Sequence, residues 1–384
     1  MSDLIRFSPR RHSPNHLDAG VASGNRGRDK VGVLTFHRCI NYGSYWQARC
    51  LVEGLRSIGL DPVLLEHRSA SVDRAEWRCA FQPQLPAKTR PDDYSLYKRK
   101  IRKFFDAFAA LPLSSPFALE HPADAQEFPL VVVGSDEVWN LRHPWYGGCR
   151  LFYGEGLRSS RLVSYAATFG NVSVPDRLKG HWAEQLRRFS RISVRDLNSK
   201  RLIEDVLGIE AELVLDPCLQ FPQPIWKAGR AEPQPAYIAV YGHSFPGWFQ
   251  RAVRQWADER SIKLISIGYR NSWADRQWID AGPVDYARFI AGATAVATNF
   301  FHGCVFSLVN DKPFACVLSD YRSNKLRDLT TVIGAERNVI SERSSALSLD
   351  TVLTNPPGAM IFRRIAALRH NSSSYLQHVV QRPS

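Results

Sequence analysis

The residues best suited to chemistry in this chain lie around a histidine that follows a short apolar run. Residues 295–298 read as a strand end, and His302-Gly303 follows at an apparent helix start. First-turn helix amides have no partner within the helix, and a glycine allows close approach, so this point suits a phosphate or carboxylate. His302 could move a proton there. A capping or core histidine is the alternative interpretation.

A second group of polar residues follows the apolar run 130–133. Ser135 and Asp136 come directly after Gly134, and Trp139 lies three residues further on. Open parallel sheets bind ligands at the carboxyl ends of their strands, so these side chains are candidate ligand contacts. Caps of the next helix would have the same residue types, and Trp139 is either a flat surface for a sugar ring or a core residue.

The N-terminal part of the chain predicts one β-α-β unit. Residues 31–36 read as a buried strand, and residues 62–66 as the strand that returns. Between them, Asn41-Tyr42-Gly43 leads into a helix with one apolar face. This small polar turn is another candidate contact with a ligand. A complete dinucleotide-binding glycine fingerprint does not occur in it.

The alternation of strands and helices continues along the chain and is interrupted once, by a stretch rich in proline and glutamine at 217–235. We therefore predict an α/β fold with two Rossmann-like domains that face each other across a cleft. The predicted parts are a flexible leader at 1–30, an N-terminal α/β domain at 31–221, a linker at 222–236, a C-terminal α/β domain at 237–345, and a helical segment at 346–384 that crosses back.

Composition is typical of a soluble globular protein. Of 384 residues, 44% are hydrophobic and 23% are charged, and no apolar run reaches the roughly 18 to 20 residues that span a bilayer. The leader has no apolar core of a secretory signal. Seven dispersed cysteines without a C-x-x-C pair argue against disulfides and zinc, and a reducing cytoplasm fits them. Cys304 is a candidate nucleophile, with a buried apolar role as the alternative.

The net charge of +13 predicts a partner that is anionic. Basic residues are densest at 98–103, within a segment of helical periodicity from Tyr94 to Phe108. We interpret this segment as an amphipathic helix whose charged face is solvated. The alternative hypothesis is an interfacial helix that contacts an anionic membrane surface near lipid-linked sugars.

Six segments together resemble the polysaccharide pyruvyl transferase family. They occur in the family's order, from roughly residue 31 to roughly residue 335. The segments are Asn41-Tyr-Gly43, Val133-Gly-Ser-Asp-Glu-Val-Trp-Asn140, Ser164-Tyr-Ala-Ala-Thr-Phe-Gly170, Ile192-Ser-Val-Arg-Asp196, Leu215-Asp-Pro217, and Phe301-His-Gly-Cys-Val-Phe306 with Lys312-Pro-Phe314. One departure lies beside the histidine, where Asn299, Phe300 and Phe301 replace the family's acidic or arginine-containing run.

The resemblance implies a GT-B-like fold and an enzyme that moves a pyruvyl group from phosphoenolpyruvate onto sugar hydroxyls, forming a ketal in glycan biosynthesis. It implies no cofactor beyond this co-substrate, and the dispersed histidines and cysteines, which lack the spacing of metal ligands, predict no metal site. The N-terminal domain would bind the acceptor, which is lipid-linked, polymeric or nucleotide-activated, and the C-terminal domain the donor. The implied catalytic residues are His302, Arg195 and Asp136. Donor contacts would come from Arg195, His302, Gly303, Asn299 and Lys325, and acceptor contacts from Asn41, Tyr42, Gly43, Ser135, Asp136 and Trp139.

Two other functions remain open on the sequence. The two-domain α/β pattern alone fits a GT-B glycosyltransferase that uses a nucleotide sugar. The positive charge alone fits a protein that binds anionic glycans without catalysis. Nucleic acid is the less favoured partner, because no basic-aromatic RNA-binding motif is present. Arg195 next to Asp196 could also be a local surface ion pair.

Overall fold

The computed structural model describes residues 29–172, 178, 180–226, 235–318 and 323–381. The predicted leader, apart from residues 29 and 30, lies outside these ranges. Most of the predicted linker, at 227–234, also lies outside them, as do the last three residues.

The first unit is built on a parallel sheet of four strands. The strands are β1 (Lys30–Leu34), β2 (Asp61–Leu64), β5 (Phe128–Val133) and β6 (Ser159–Ser164), in the order β2-β1-β5-β6. A small parallel pair, β7 (Ser193–Val194) and β8 (Glu212–Leu213), continues it through single bridges from residues 163 and 167. The last four residues of β1 are all buried, as expected of a parallel strand covered on both faces.

Helices surround this sheet. They are α1 (Tyr42–Ser57), α4 (His181–Arg187), α5 (Leu197–Leu207) and α6 (Pro217–Gln220). An excursion between β2 and β5 adds β3 (His67–Arg68), α2 (Ala70–Phe81), α3 (Asp93–Ala109) and β4 (Phe117–Ala118). α1 begins where the Asn41 side chain accepts the Gly43 and Ser44 amides, the usual way in which an N-cap satisfies first-turn donors.

The second unit has a parallel sheet of six strands. They are β9 (Tyr237–Tyr241), β10 (Lys263–Ile267), β11 (Arg276–Trp278), β12 (Ala295–Thr298), β13 (Phe314–Val317) and β14 (Val339–Ile340), in the order β11-β10-β9-β12-β13-β14. The helices are α7 (Gly247–Glu259), α8 (Pro283–Gly292), α9 (Phe301–Val309), α10 (Ser323–Ile333) and α11 (Ala346–Thr354). The predicted α/β class, with two Rossmann-like units facing a cleft in a GT-B-like arrangement, is confirmed.

The C-terminal helix α12 (Ala359–Val380) returns to the first unit. The Tyr375 hydroxyl donates to the Ser164 carbonyl at 2.6 Å, at the end of β6. The Leu215 amide donates to Ser372 Oγ at 2.9 Å. Both contacts are buried, so α12 belongs to the core of the unit that the chain left some 150 residues earlier.

Aromatic packing joins the two units. Trp46 of α1 packs edge-on against Trp226, and Trp226 in turn packs against Phe306 of α9, with centroids 5.3 and 4.7 Å apart. The Trp46 indole donates to the Pro283 carbonyl of the second unit at 2.9 Å. Trp226 lies in the predicted linker, yet it is buried, so this end of the linker is part of the core.

The basic cluster at 98–103 is not simply a solvated face, because three of its side chains reach the second unit. Lys100 is buried and donates to the Gly268 carbonyl at 2.9 Å. Arg99 and Lys103 form ion pairs with Asp280 and Asp285, both at 2.9 Å. Lys98 and Arg102 are exposed. Helix α3 is therefore a bridge between the units. No helix in the described ranges is long and apolar enough to cross a membrane.

We expect one buried ion pair of this bridge to be essential for stability. Asp93 is 1% exposed and accepts two hydrogen bonds from Arg270, each at 2.5 Å. Arg270→Ala would leave a buried carboxylate without a counter-charge and should lower the free energy of unfolding by about 3 kcal/mol. Urea denaturation would measure it. The double variant Arg270→Ala/Asp93→Asn should recover part of the loss, and equal losses in both variants would contradict this explanation.

Candidate active site

A cavity of about 330 Å³ lies between the carboxyl ends of the two sheets. Loops after β1 and β5 and the helix α2 form one wall, which includes Asn41, Ser44, Glu76, Asp136 and Glu137. The second unit contributes Tyr241, His243, Tyr269, Phe300, Phe301 and His302. The cavity is therefore where parallel α/β sheets bind ligands, and both units supply side chains to it.

Arg195 connects two carboxylates beneath this cavity. It follows β7, and its side chain is 2% exposed. One terminal nitrogen donates to Asp216 Oδ2 at 2.7 Å, and the other donates to Asp136 Oδ1 at 2.9 Å. The guanidinium also lies over the Phe301 ring, 4.7 Å from its centroid. The partners of Arg195 are thus remote in sequence, and the neighbouring Asp196 caps α5 by accepting the Ser199 amide.

His302 forms an ion pair with Asp216, whose Oδ2 lies 3.6 Å from Nε2. Burial by itself would lower the pKa of His302, but the Asp216 carboxylate outweighs burial and raises the pKa to about 9. The imidazole is therefore protonated at neutral pH. The pair stabilises the fold fully below the unfolded pKa of about 6.5, and this stabilisation is lost as pH rises through 9.

Asp136 is held in position from three sides. Its Oδ1 accepts from Arg195 and from the Glu137 amide, and its Oδ2 accepts from Ser44 Oγ at 2.9 Å. Its backbone has a φ of 81°, a conformation that is costly for an aspartate and is characteristic of functional turns. Burial opposes ionisation, yet Arg195 and His302 lower the pKa of Asp136 to about 2. Asp136 is thus a fixed carboxylate and a weak base.

Lys325 enters the cavity from α10 and contacts the Glu137 carboxylate. The other Glu137 oxygen accepts from the Asn140 amide at 2.6 Å. Despite burial, Lys325 keeps the pKa of Glu137 below its usual range. This pair places a cation of the second unit at the edge of the first, close to the Asp136 turn.

Of the predicted acceptor contacts, Asn41 and Asp136 line the cavity, and Gly43 has a different role. Its backbone is packed against the His302 ring, so that a Cβ at this position would lie 2.0 Å from Nδ1. The glycine makes room for the imidazole. Asn41 lines the cavity and also caps α1.

Tyr42, Ser135 and Trp139 do not line the cavity, which corrects their assignment as acceptor contacts. Each is at most 1% exposed. Tyr42 lies in the seam between the units, where its hydroxyl donates to the Ala281 carbonyl at 2.7 Å. The Ser135 hydroxyl contacts Gln47, and the Trp139 indole donates to the Phe152 carbonyl at 2.9 Å. These side chains support the turns instead.

Gly303 and Asn299 do not match their predicted role in donor binding either. The Gly303 amide donates to the Phe300 carbonyl at 3.0 Å and so is already occupied. Asn299 is 1% exposed, and its amide donates to the His243 carbonyl at 2.8 Å. Cys304 is fully buried within α9. The beginning of α9 therefore supplies the His302 side chain to the cavity, while the Gly303 amide is paired within the helix.

The predicted residues that meet at the cavity are His302, Arg195, Asp136, Lys325 and Asn41. The sequence analysis assigned no role in the site to Ser44, Asp216, Glu76 or Lys100. A signal existed for Asp216, since an aspartate before a proline at a strand end is a typical N-cap, and its side chain does accept the Cys218 amide. The other three reach the cavity only through tertiary packing.

A model of the family described as polysaccharide pyruvyl transferase matches residues 41–321, well over half of the chain. The chain belongs to this family. It is accordingly a transferase, and the cavity between its two units is the candidate active site. No protein in the curated set matches the chain.

Several solved structures are weakly similar to this transferase. The UDP-GlcNAc 2-epimerase of Neisseria meningitidis bound to UDP-GlcNAc is 7% identical with a TM-score of 0.47, over 92% of this chain and 100% of that one. MnaA of S. aureus with UDP is 11% identical with a TM-score of 0.46, over 93% and 99%. The UDP-GlcNAc 2-epimerase of Methanocaldococcus jannaschii is 11% identical with a TM-score of 0.45, over 89% and 99%. Similarities this weak carry no information about substrates.

Asp216, Cys218 and His302 lie close enough to hold a metal ion, since their ligand atoms are within 4.8 Å of one another. The same Asp216 oxygen, however, accepts a hydrogen bond from the Arg195 guanidinium. A fixed positive charge at that distance disfavours a second cation. We therefore interpret the three residues of the transferase as a hydrogen-bonding and ion-pair cluster rather than a metal site.

The ion pair predicts a large shift in the titration of His302. In Asp216→Asn the favourable charge is gone and burial dominates, so the pKa of His302 should fall from about 9 to below its ordinary value of about 6.5. NMR titration of histidine-labelled protein would measure this change. Glu184→Gln, on the exposed face of α4, is a matched control that should leave the titration unchanged. A His302 pKa that stays near 9 in Asp216→Asn would refute the assignment.

The close packing of Gly43 predicts a second effect on the same imidazole. Gly43→Ala should displace the ring, because the new methyl group would overlap Nδ1. We expect at least a ~100-fold loss of transferase activity, since a misplaced catalytic group commonly costs that much. Gly247→Ala at the beginning of α7, where the added methyl meets only a flexible arginine side chain, should be tolerated. Full activity in Gly43→Ala would contradict this role.

Proposed function

We propose that the protein transfers a pyruvyl group from phosphoenolpyruvate to two hydroxyls of a sugar and releases phosphate, leaving a pyruvate ketal on a glycan. The observation that carries the proposal is the pairing of His302, at the cavity, with the buried Asp216 carboxylate in a member of this family. Pyruvyl transfer needs an acid that carries its proton at neutral pH and can give it to the enol carbon. A buried imidazolium in an ion pair meets that need.

The donor is assigned to the cations around His302. Phosphoenolpyruvate carries a carboxylate and a phosphate on one carbon, and it therefore needs several cationic donors at short range. Arg195 uses two of its five N–H groups on Asp216 and Asp136, and we assign the others to the donor. Lys325 lies at the same cavity and is assigned to the phosphate. Neither Gly303 nor Asn299 takes part in this assignment.

The proposed reaction begins when the imidazolium of His302 gives its proton to the methylene carbon, using the π electrons of the enol. The central carbon becomes electron-deficient and is attacked by the first sugar hydroxyl, whose proton passes to a base. The bond to the phosphate oxygen then breaks, and phosphate leaves with the electron pair and with that proton. The second hydroxyl closes the ketal and returns a proton to His302, so no cofactor is required.

Asp136 has a positioning role in this scheme. Its pKa of about 2 makes it a poor acceptor for a hydroxyl proton, but it is a fixed hydrogen-bond acceptor beside Arg195. We assign it to orient the acceptor hydroxyl. Asn41 lies on the same wall of the cavity and would contact the sugar. The acceptor class we infer is a sugar with two neighbouring hydroxyls that can close a five- or six-membered ketal.

Isothermal titration with phosphoenolpyruvate, beside a panel of uridine and guanosine diphosphate sugars, tests the donor. Saturable binding of phosphoenolpyruvate supports pyruvyl transfer. Binding of nucleotide sugars alone would favour glycosyl transfer, or a nucleotide-activated acceptor that must bind first. Binding of neither class, with salt-sensitive binding of anionic glycans, would favour a protein without catalysis.

Phosphate release from phosphoenolpyruvate in the presence of acceptor tests the role of His302. His302→Gln should lower the turnover rate by about 10²- to 10⁴-fold while largely sparing the affinity for the donor. Arg195→Ala is a poor probe, because it leaves Asp136 and Asp216 buried without their counter-charge. Unchanged turnover in His302→Gln would remove His302 from the mechanism.

A further inference from the structure

One carboxylate of the cavity differs from the others in having no cation beside it. Glu76 lies on α2 and is 7% exposed. Its Oε2 accepts the Ile40 amide at 3.2 Å, and its Oε1 is buried without a hydrogen-bond partner among the described residues. A buried carboxylate oxygen without a partner is costly, and such groups are usually retained for a function.

The contrast with the neighbouring carboxylates is chemical. Asp136 pairs with Arg195, and Glu137 pairs with Lys325, so in both the negative charge is already compensated. Asp216, paired with Arg195 and His302, is not at the cavity surface. Among the acidic side chains that line the cavity in the described part of the chain, Glu76 is the one with a carboxylate oxygen that accepts no hydrogen bond.

The groups that face Glu76 favour its neutral form. Burial raises the pKa of Glu76 to about 7, against smaller opposing effects of the Cys39 thiol and the Ile40 amide. Asp73, one turn earlier on α2, also raises the pKa. The Tyr146 hydroxyl is a further neighbour and is itself neutral. A carboxyl group with this environment can accept and release a proton near neutral pH, as a general base must.

Glu76 lies on the wall of the cavity that we assign to the acceptor. Its partner Ile40 directly precedes Asn41, and Ser44 in the next turn donates to Asp136. The wall thus runs continuously from Glu76 to the carboxylate that we assign to orient the acceptor. His302 faces the same cavity from the second unit. An acid and a base on opposite walls are the arrangement that pyruvyl transfer needs.

We propose that Glu76 is the general base that takes the proton from the first attacking sugar hydroxyl. In this step the hydroxyl O–H bond breaks, its oxygen bonds to the central carbon of the pyruvyl group, and the proton moves to the Glu76 carboxylate. Glu76 then gives that proton to the departing phosphate oxygen and is ready for the next cycle. The inference rests on the proposed pyruvyl transfer.

The test is the pH dependence of Glu76→Gln with phosphoenolpyruvate and an acceptor sugar. In the unaltered protein, kcat/KM should rise with pH as Glu76 ionises near 7 and fall again as His302 loses its proton near 9. Glu76→Gln should lose about 10²-fold or more in kcat, keep its KM for phosphoenolpyruvate, and lose the acidic limb of the profile. Glu184→Gln is the matched surface control and should keep the full profile.

Stability separates a catalytic role from a structural one. Above pH 7 the buried carboxylate is charged at a cost to the fold, so at pH 8 the Tm of Glu76→Gln should equal or exceed that of the unaltered protein. A structural Glu76 would instead give a lower Tm. If Glu76→Gln does not fold, Glu76→Asp is the test instead. The shorter aspartate still ionises, so this variant should retain the acidic limb of the pH profile at a much reduced kcat.

The outcomes distinguish the two proposals. Phosphate release by Glu76→Gln with unchanged kcat and an intact acidic limb would overturn the role of Glu76 and leave pyruvyl transfer standing. The limb would then belong to another group, with Lys100 on α3 as the first candidate, because burial lowers its pKa to about 7. If the unaltered protein releases no phosphate from phosphoenolpyruvate with any acceptor, both proposals fall together.

Discussion

The structure of the site depends on one guanidinium shared between two buried carboxylates. Arg195 neutralises Asp136 of the β5 turn and Asp216 of the turn after β8, and Asp216 in turn holds His302 of the second unit. Three strand ends and one helix are thus fixed by a single charge network. Because burying an unpaired charge is costly, none of these groups can be changed without affecting the others.

The two units act as one body because polar and aromatic contacts cross between them. Helix α3 supplies the Asp93 partner of Arg270, and Lys100 lies over the rings of Tyr42 and Tyr269, 4.9 and 4.4 Å from their centroids. The partners of Lys100 are these ring faces and a carbonyl rather than a carboxylate, and burial lowers its pKa to about 7. These contacts join the two walls of the cavity and so define the position of His302 relative to the residues of the first unit.

Electrostatics divides the acidic residues of the cavity into two kinds. Asp136 and Glu137 face cations, and their pKa values are lowered, so they remain charged and orient other groups. Glu76 faces a thiol and a backbone amide, and burial raises its pKa. The same carboxyl group is therefore held charged in one place and favoured in its neutral form in another, and the environment alone makes the difference.

The sequence by itself determined the α/β class and the strands at 263–267 and 295–298, since short-range patterns encode these features. It also singled out His302, Arg195 and Asp136, which the structure places at the cavity. It did not separate Tyr42 and Trp139, which are buried, from residues that line the cavity. Exposure, counter-charges and the place of Glu76 depend on contacts between segments far apart in the chain. Only the tertiary structure decided them, because burial and charge pairing arise from packing rather than from local sequence.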